Sequence, residues 1–438
     1  MPSGNARGMR QADRRTFLKV TGASVVAGSL AGCMNDGGGD GGGDGNGDGG
    51  SDGGGATTGT SDGGSGGDEI VIGGLQPYTG PYAPTTSEFV EGFNFRLDEI
   101  NANGGVLDRD LVFVDRDTEL DPAEATNLAT ELIEAENAAV LTGPISSDIG
   151  LTVGPIAEDN QVPHIPQFVG SQEFLTRDSR YNFRMGLAPA PTNARAVSQL
   201  IEEKGYGTVG AIVADYSYGR AWEQSMNAIF PDDIDLQIEV APFGEDSFTT
   251  YLRSMPDDLE LLIGASHPPG VFTIFNQLQG LDDVNPSSFI GRSDTKLSAQ
   301  ALGDSITSGF IAQGQPDPFS DQYVEAGQRY YDETGGWFGS TMAVGYVVAD
   351  LIGAAIEDAG EATPTEIAAS IRNINHDTLF GSPIEYTEWG ELKNLVQLIV
   401  DFESGAPEYY PDGNVRLVEE YRSDPLPAYD PSGDLLSG

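Results

Sequence analysis

The chain has 438 residues, 68 of them acidic and 22 basic, for a formal net charge of −46 at pH 7. A surface of that sign repels nucleic acid and anionic lipid headgroups, which excludes both as partners of the folded part. One cysteine, Cys33, excludes an internal disulfide and a thiolate metal cluster. Hydrophobic residues make up 38% of the chain, and periodic segments follow Asp68, so the main body folds, at a length that suits two or three domains.

Residues 1–32 predict an export signal. Asp13-Arg14-Arg15-Thr16-Phe17-Leu18-Lys19 resembles the twin-arginine motif, and Val20 to Leu30 is an apolar run too short to span a bilayer. Leu30-Ala31-Gly32-Cys33 resembles a lipobox, which implies a lipid on Cys33 and a tether to the outer face of the membrane. From Met34 to Asp68 the chain is a Gly/Asp/Ser tract that cannot bury a core and predicts a flexible spacer.

The folded part begins at Glu69. Glu69 to Leu75 reads as a buried strand, residues 76–84 as a Gly/Pro/Tyr loop, and Thr86 to Asn101 as a helix with Phe89, Phe93, Leu97 and Ile100 on one face. Leu111 to Asp115 is the next strand, and Asp121-Pro122 opens a second helix. Ala139 to Thr142 is a short β-branched strand, broken by Gly143-Pro144. Ser146, Ser147 and Asp148 are each good caps for the helix that follows, which Gly154-Pro155 is expected to kink. Such a strand, glycine turn and capped helix offer free N–H groups at the positive end of a helix dipole, where a carboxylate can dock.

A second alternating set follows. Helices are predicted at 190–204, 217–229 and 269–278, and strands at 208–214, 259–264 and 288–291. Later come helices at 343–358 and 365–373 and a strand at 396–402. The alternation predicts an α/β protein with parallel sheets, whose ligands sit at the carboxyl ends of the strands. No apolar run after the signal reaches the expected length of a membrane span. Enzymatic chemistry finds little support. His164, His267 and His376 are far apart without metal-ligand spacing, no phosphate loop occurs, and Gly-x-Ser-x-Gly occurs only inside the spacer, as at 59–63.

The order of motifs resembles the solute-binding proteins of ABC transporters, specifically the branched-chain amino acid (leucine/isoleucine/valine) class of type I periplasmic binding proteins. It is carried by Ile72 to Pro81, Asp98-Glu99-Ile100-Asn101-Ala102-Asn103-Gly104-Gly105-Val106, Asp117 to Ala125, Gly143 to Ser147, Val162-Pro163-His164-Ile165-Pro166, Phe183-Arg184 and Tyr218-Gly219, over nearly all of 69–404. The acidic, lysine-poor composition also resembles that of haloarchaeal proteins, in which high salt screens self-repulsion. The resemblance implies a two-lobed type I periplasmic-binding-protein fold, each lobe a mostly parallel sheet flanked by helices. Three crossover segments, near Gly186, Gln313 and Glu385, would join lobe 1 (69–186 plus 315–384) to lobe 2 (187–314 plus 385–438).

The implied function is binding of a small polar ligand between closing lobes and its delivery to ABC permease subunits, with no reaction, metal or cofactor. A branched-chain or related amino acid leads among ligands, ahead of short amides, urea and small carboxylates. A ligand-sensing receptor subunit of the same fold is the alternative. Family positions place Ser147, with Ser146, at the ligand carboxylate, and Tyr218 against the ligand. Gly170 or Ser171 falls at a threonine that contacts the ligand amine and carboxylate, Ser266 or His267 at a second-lobe tyrosine, and Asp294 at the acid that pairs with an ammonium. Arg292 beside Asp294 would instead suit an anion. Tyr78, Tyr82 and Phe168 are candidate apolar walls.

Overall fold

A computed structural model describes residues 69–292, 294–433 and 435. The predicted signal, Cys33 and the Gly/Asp spacer fall outside the described residues. Strands β1 (Glu69–Gln76), β2 (Asp110–Asp117), β3 (Val140–Thr142) and β4 (His164–Ile165) form a sheet of order β2-β1-β3-β4, and every pairing in it is parallel. Between them run α1 (Ala83–Ala102), α2 (Pro122–Glu134) and α3 (Ser147–Asn160). Pro84 stands in the first turn of α1, where a missing N–H costs nothing, and Phe89, Phe93 and Leu97 recur every four residues on the buried face. The Asp121 carboxylate caps α2 by accepting from the N–H groups of Ala123 and Glu124. Helix α3 runs on through Pro155 to Asn160, so no break follows the expected kink position.

At Gly186 the chain leaves this first body for α4 (Ala190–Lys204), β5 (Thr208–Asp215), α5 (Ser217–Ile229), β6 (Asp235–Pro242), α6 (Thr249–Ser254), β7 (Leu261–Ala265), α7 (Gly270–Leu278), β8 (Ser288–Arg292), α8 (Thr295–Leu302) and β9 (Phe310–Gly314). It then makes α9 (Asp321–Thr334), α10 (Ser340–Ala359), which packs on α1, α11 (Pro364–Asn373) and a short antiparallel pair, β10 (Asn375–His376) and β11 (Ile384–Glu385). Finally β12 (Leu398–Ser404) and β13 (Val415–Arg422) extend the second sheet, whose order is β13-β12-β9-β8-β7-β5-β6. Strands β5 to β9 pair in parallel, and β12 is antiparallel to both neighbours. By length and composition α10 could cross a membrane, contrary to the sequence expectation. It is instead a core helix, with fifteen of its residues buried.

Sequence reasoning does not find β6, β9, β13, α8 or α9. Strand β6 carries Leu236, Ile238 and Val240 in alternation, but it is a half-exposed edge strand interspersed with charges. Helix α9 hides a narrow stripe of Tyr323, Ala326, Gly327 and Tyr330 in an otherwise polar run, capped by the Ser320 hydroxyl.

Candidate ligand-binding cleft

The carboxyl ends of both sets of parallel strands face one cleft. The loop after β4 meets the loops after β5, β7, β8 and β9 there, and with the lobes together they enclose a cavity of about 30 Å³, which a ligand would have to widen by parting the lobes. Phe168 lies on one side; Tyr218, Trp222, Ser266, Arg292 and Gln315 lie around it. The lobes are closed. The Tyr82 ring at the start of α1 packs 4.8 Å from the His267 ring after β7, Gln172 donates to Gln224 at 3.0 Å, and the Ser217 hydroxyl donates to the Asp148 carboxylate.

Tyr218 and Gly170 are brought together. A Cβ on Gly170 would fall 2.5 Å from the Tyr218 ring, so only glycine lets that ring approach the loop. Ser147 is fully buried in the first turn of α3, and its hydroxyl accepts the N–H groups of Gly170 and Ser171, each at 3.2 Å. It holds that loop in place and does not line the cavity. Ser171 turns its own hydroxyl to the Glu173 N–H, and Ser146 is buried at the helix start without a side-chain cap bond. Tyr78 stands apart: it is partly exposed, and its hydroxyl donates to the Asp115 carboxylate beside the end of β2.

Arg292 and Asp294 face each other rather than competing for one place. Asp294 accepts from Arg292 Nε at 3.0 Å and Nη2 at 2.7 Å, and from the Thr341 hydroxyl at 2.7 Å. The guanidinium lies 4.0 Å over the Phe168 ring, a cation–π contact made across the cleft. Burial opposes the Arg292 charge, but the Asp294 carboxylate more than offsets it and raises the arginine pKa. His267 is buried among Tyr82, Tyr216 and Tyr218 with neither ring nitrogen hydrogen-bonded. Burial, with Arg292 second, holds its pKa well below the usual imidazole range, so it is neutral. A neighbouring apolar recess of about 220 Å³ runs from Tyr82 and His267 to Phe243.

Trp222, Gln315 and Gln397 are among the lining residues that escape sequence reasoning. Trp222 lies one helical turn beyond Tyr218 on α5, and that four-residue step was the available signal. Gln315 and Gln397, just after β9 and just before β12, carry no local signal, because only the fold brings them together.

A further contact bridges the lobes. Glu88 on α1 is buried, 3.8 Å from Lys296 Nζ on α8, and neither carboxylate oxygen has a hydrogen bond. Burial, only partly countered by Lys296, pushes its pKa up to about 8. An unfolded glutamate releases its proton near 4.5, so the folded state holds the proton longer. Glu88 therefore favours folding at acidic pH, and that contribution is lost as pH rises from 4.5 to about 8. Glu88→Gln should remove this slope, giving a variant more stable than the parent by roughly 3–5 kcal/mol above the folded pKa and little different at acidic pH. Denaturant midpoints measured across that pH range check it; parallel pH profiles for parent and variant would refute it.

A profile for periplasmic binding proteins matches residues 69–398. The chain belongs to the periplasmic binding protein family. Among relatives of this binding protein, the Leu/Ile/Val-binding protein homolog 6 of Brucella melitensis is 24% identical over 275 residues, 60% of this chain and 69% of that one. A leucine-, isoleucine-, valine-, threonine- and alanine-binding protein of Pseudomonas aeruginosa is 22% identical, over 77% of this chain and 91% of its own. In structure, a solute-binding protein of an ABC transporter from Rhodopseudomonas palustris, in complex with 3,4-dihydroxybenzoic acid, superposes with a TM-score of 0.70 at 19% identity. That match covers 83% of this chain and 99% of the other. The two-lobed α/β architecture is that of type I periplasmic binding proteins. Membership makes this an extracytoplasmic binder of small molecules.

Proposed function

We propose that this binding protein is the solute-capturing component of an ABC importer, closing its lobes on a small carboxylate-bearing metabolite and presenting it to a permease. The observation that carries this is the cavity between the lobes, lined by buried polar groups that lack partners inside the protein: Arg292 Nη1, the Gln315 amide and Gln397 Nε2. Buried donors of this kind cost free energy until a ligand satisfies them. Phe168, Tyr218 and Trp222 supply apolar walls, while Ser147 acts through the loop it fixes. The names of the relatives, which include leucine, isoleucine and valine binders and a dihydroxybenzoate complex, support a ligand of this size. The protein carries out no reaction; it selects and delivers.

Calorimetric titration in molar salt with leucine, isoleucine, valine, benzoate, acetamide and urea tests it. One-to-one binding to a member of the panel is expected, and no heat from any of them contradicts a small-solute function. The acidic surface also predicts lower stability in dilute buffer than at high salt.

The twin-arginine-like segment and Leu30-Ala31-Gly32-Cys33 support anchoring to the outer face of the membrane by a lipid on Cys33. Cys33→Ser should move the protein from the membrane pellet to the soluble fraction, and retention in the pellet would rule out that anchor.

A further inference from the structure

The chain is dominated by carboxylates, yet among the described residues lining the cavity there is no aspartate or glutamate, and Arg292 is the one charged side chain. The acid nearest in sequence, Asp294, is already engaged: Arg292 takes both its oxygens and Thr341 donates a third bond. A ligand ammonium would therefore enter a closed, low-dielectric site without a counter-ion, at a cost of several kcal/mol.

Hydrogen-bonding capacity in the cavity has the opposite sense. Arg292 spends Nε and Nη2 on Asp294, which fixes the plane of the guanidinium, and leaves Nη1 buried with no partner. Gln397 Nε2 is a second buried donor without a partner, and the Gln315 amide is unsatisfied at both ends. These three residues lie around one small volume, with Phe168 against the guanidinium face and Tyr218 and Trp222 beside it. Convergent donors, one of them cationic, suit an anionic oxygen pair through charge-assisted bonds.

We infer that the ligand is a small monocarboxylate with an apolar body and no ammonium group, its carboxylate held by Arg292 Nη1 and the amides of Gln397 and Gln315. This assignment rests on the solute-binding function proposed above and narrows its ligand class from amino acids to organic acids. Asp294 acts as a positioning residue that orients the guanidinium rather than as a contact for the ligand.

The test compares matched ligands on the purified full-length chain at high salt: leucine, its deaminated counterpart 4-methylpentanoate, and 4-methylpentanamide, with phenylalanine, 3-phenylpropanoate and 3-phenylpropanamide as an aromatic set. At least one acid is expected to bind about 10-fold or more tighter than both its amino acid and its amide. The paired change Arg292→Gln with Asp294→Asn removes both charges together, so neither is left buried alone, and should weaken acid binding by about 100-fold. Gln397→Leu, which strands no charge, should cost about 10-fold. Leucine binding tighter than 4-methylpentanoate would overturn the assignment while leaving the solute-binding function intact. An amide matching its acid, or acid binding unaffected by both variants, would also overturn it. Failure of every ligand to bind would bring down the assignment and the function together.

Discussion

Arg184→Met is expected to destabilise the protein by about 3–5 kcal/mol, because it leaves the Glu391 carboxylate buried without its counter-charge. Arg184 and Glu391 are 0% and 2% exposed, and Nε lies 2.8 Å from Oε2. Burial already raises the Glu391 pKa, and Arg184 is the main influence pulling it back. The guanidinium also donates to the carbonyls of Val169 and Ser171, while the Arg184 carbonyl accepts from the Tyr386 hydroxyl at 3.1 Å. One side chain thus ties the cleft loop after β4 to the segment that precedes β12, just before the chain crosses at Gly186. Changing both partners, Arg184→Met with Glu391→Gln, should recover much of the loss, since no lone charge then remains. Urea denaturation of the two single variants and the double gives the coupling directly. Additive losses would show that the ion pair is not what holds this corner.

Gly345→Val should cost about 3 kcal/mol, at the upper end for overpacking, because here the obstacle is backbone. A Cβ on Gly345 would sit 2.0 Å from the Phe89 carbonyl oxygen, and a Cβ on Gly92 would sit 2.0 Å from the Met342 carbonyl oxygen. Helices α1 and α10 therefore touch main chain to main chain at two points, and a side chain at either must push them apart through the centre of the core. The loss should appear as a lower denaturation midpoint with an unchanged slope. A midpoint equal to the parent's would mean that the helix pair can separate without disturbing the core.

Where side chains repeat with the period of their element, the sequence was legible. Phe89, Phe93 and Leu97 define α1, and the apolar run of β5 is buried along nearly its whole length. Edge strands such as β6 mix exposed and buried positions and lose that signal. Within the cleft, Tyr218 and Gly170 were marked by the family resemblance alone, and the structure sets one against the other. Arg292 and Asp294 were visible as a pair, but whether they oppose or complement each other depends on χ angles and on Thr341, 47 residues away. Gln315 and Gln397 come together only after three passages of the chain between sheets, so no local pattern marks them.

In the proposed function, a bound solute draws the two lobes together. Spin labels on cysteines introduced at the exposed positions Glu124 and Asp257, in a Cys33→Ser background, would report the distance across the cleft. With the tightest ligand from the titrations, the distance distribution should narrow and shorten by on the order of several Å relative to the ligand-free protein. An identical distribution with and without saturating ligand would contradict a closing cleft.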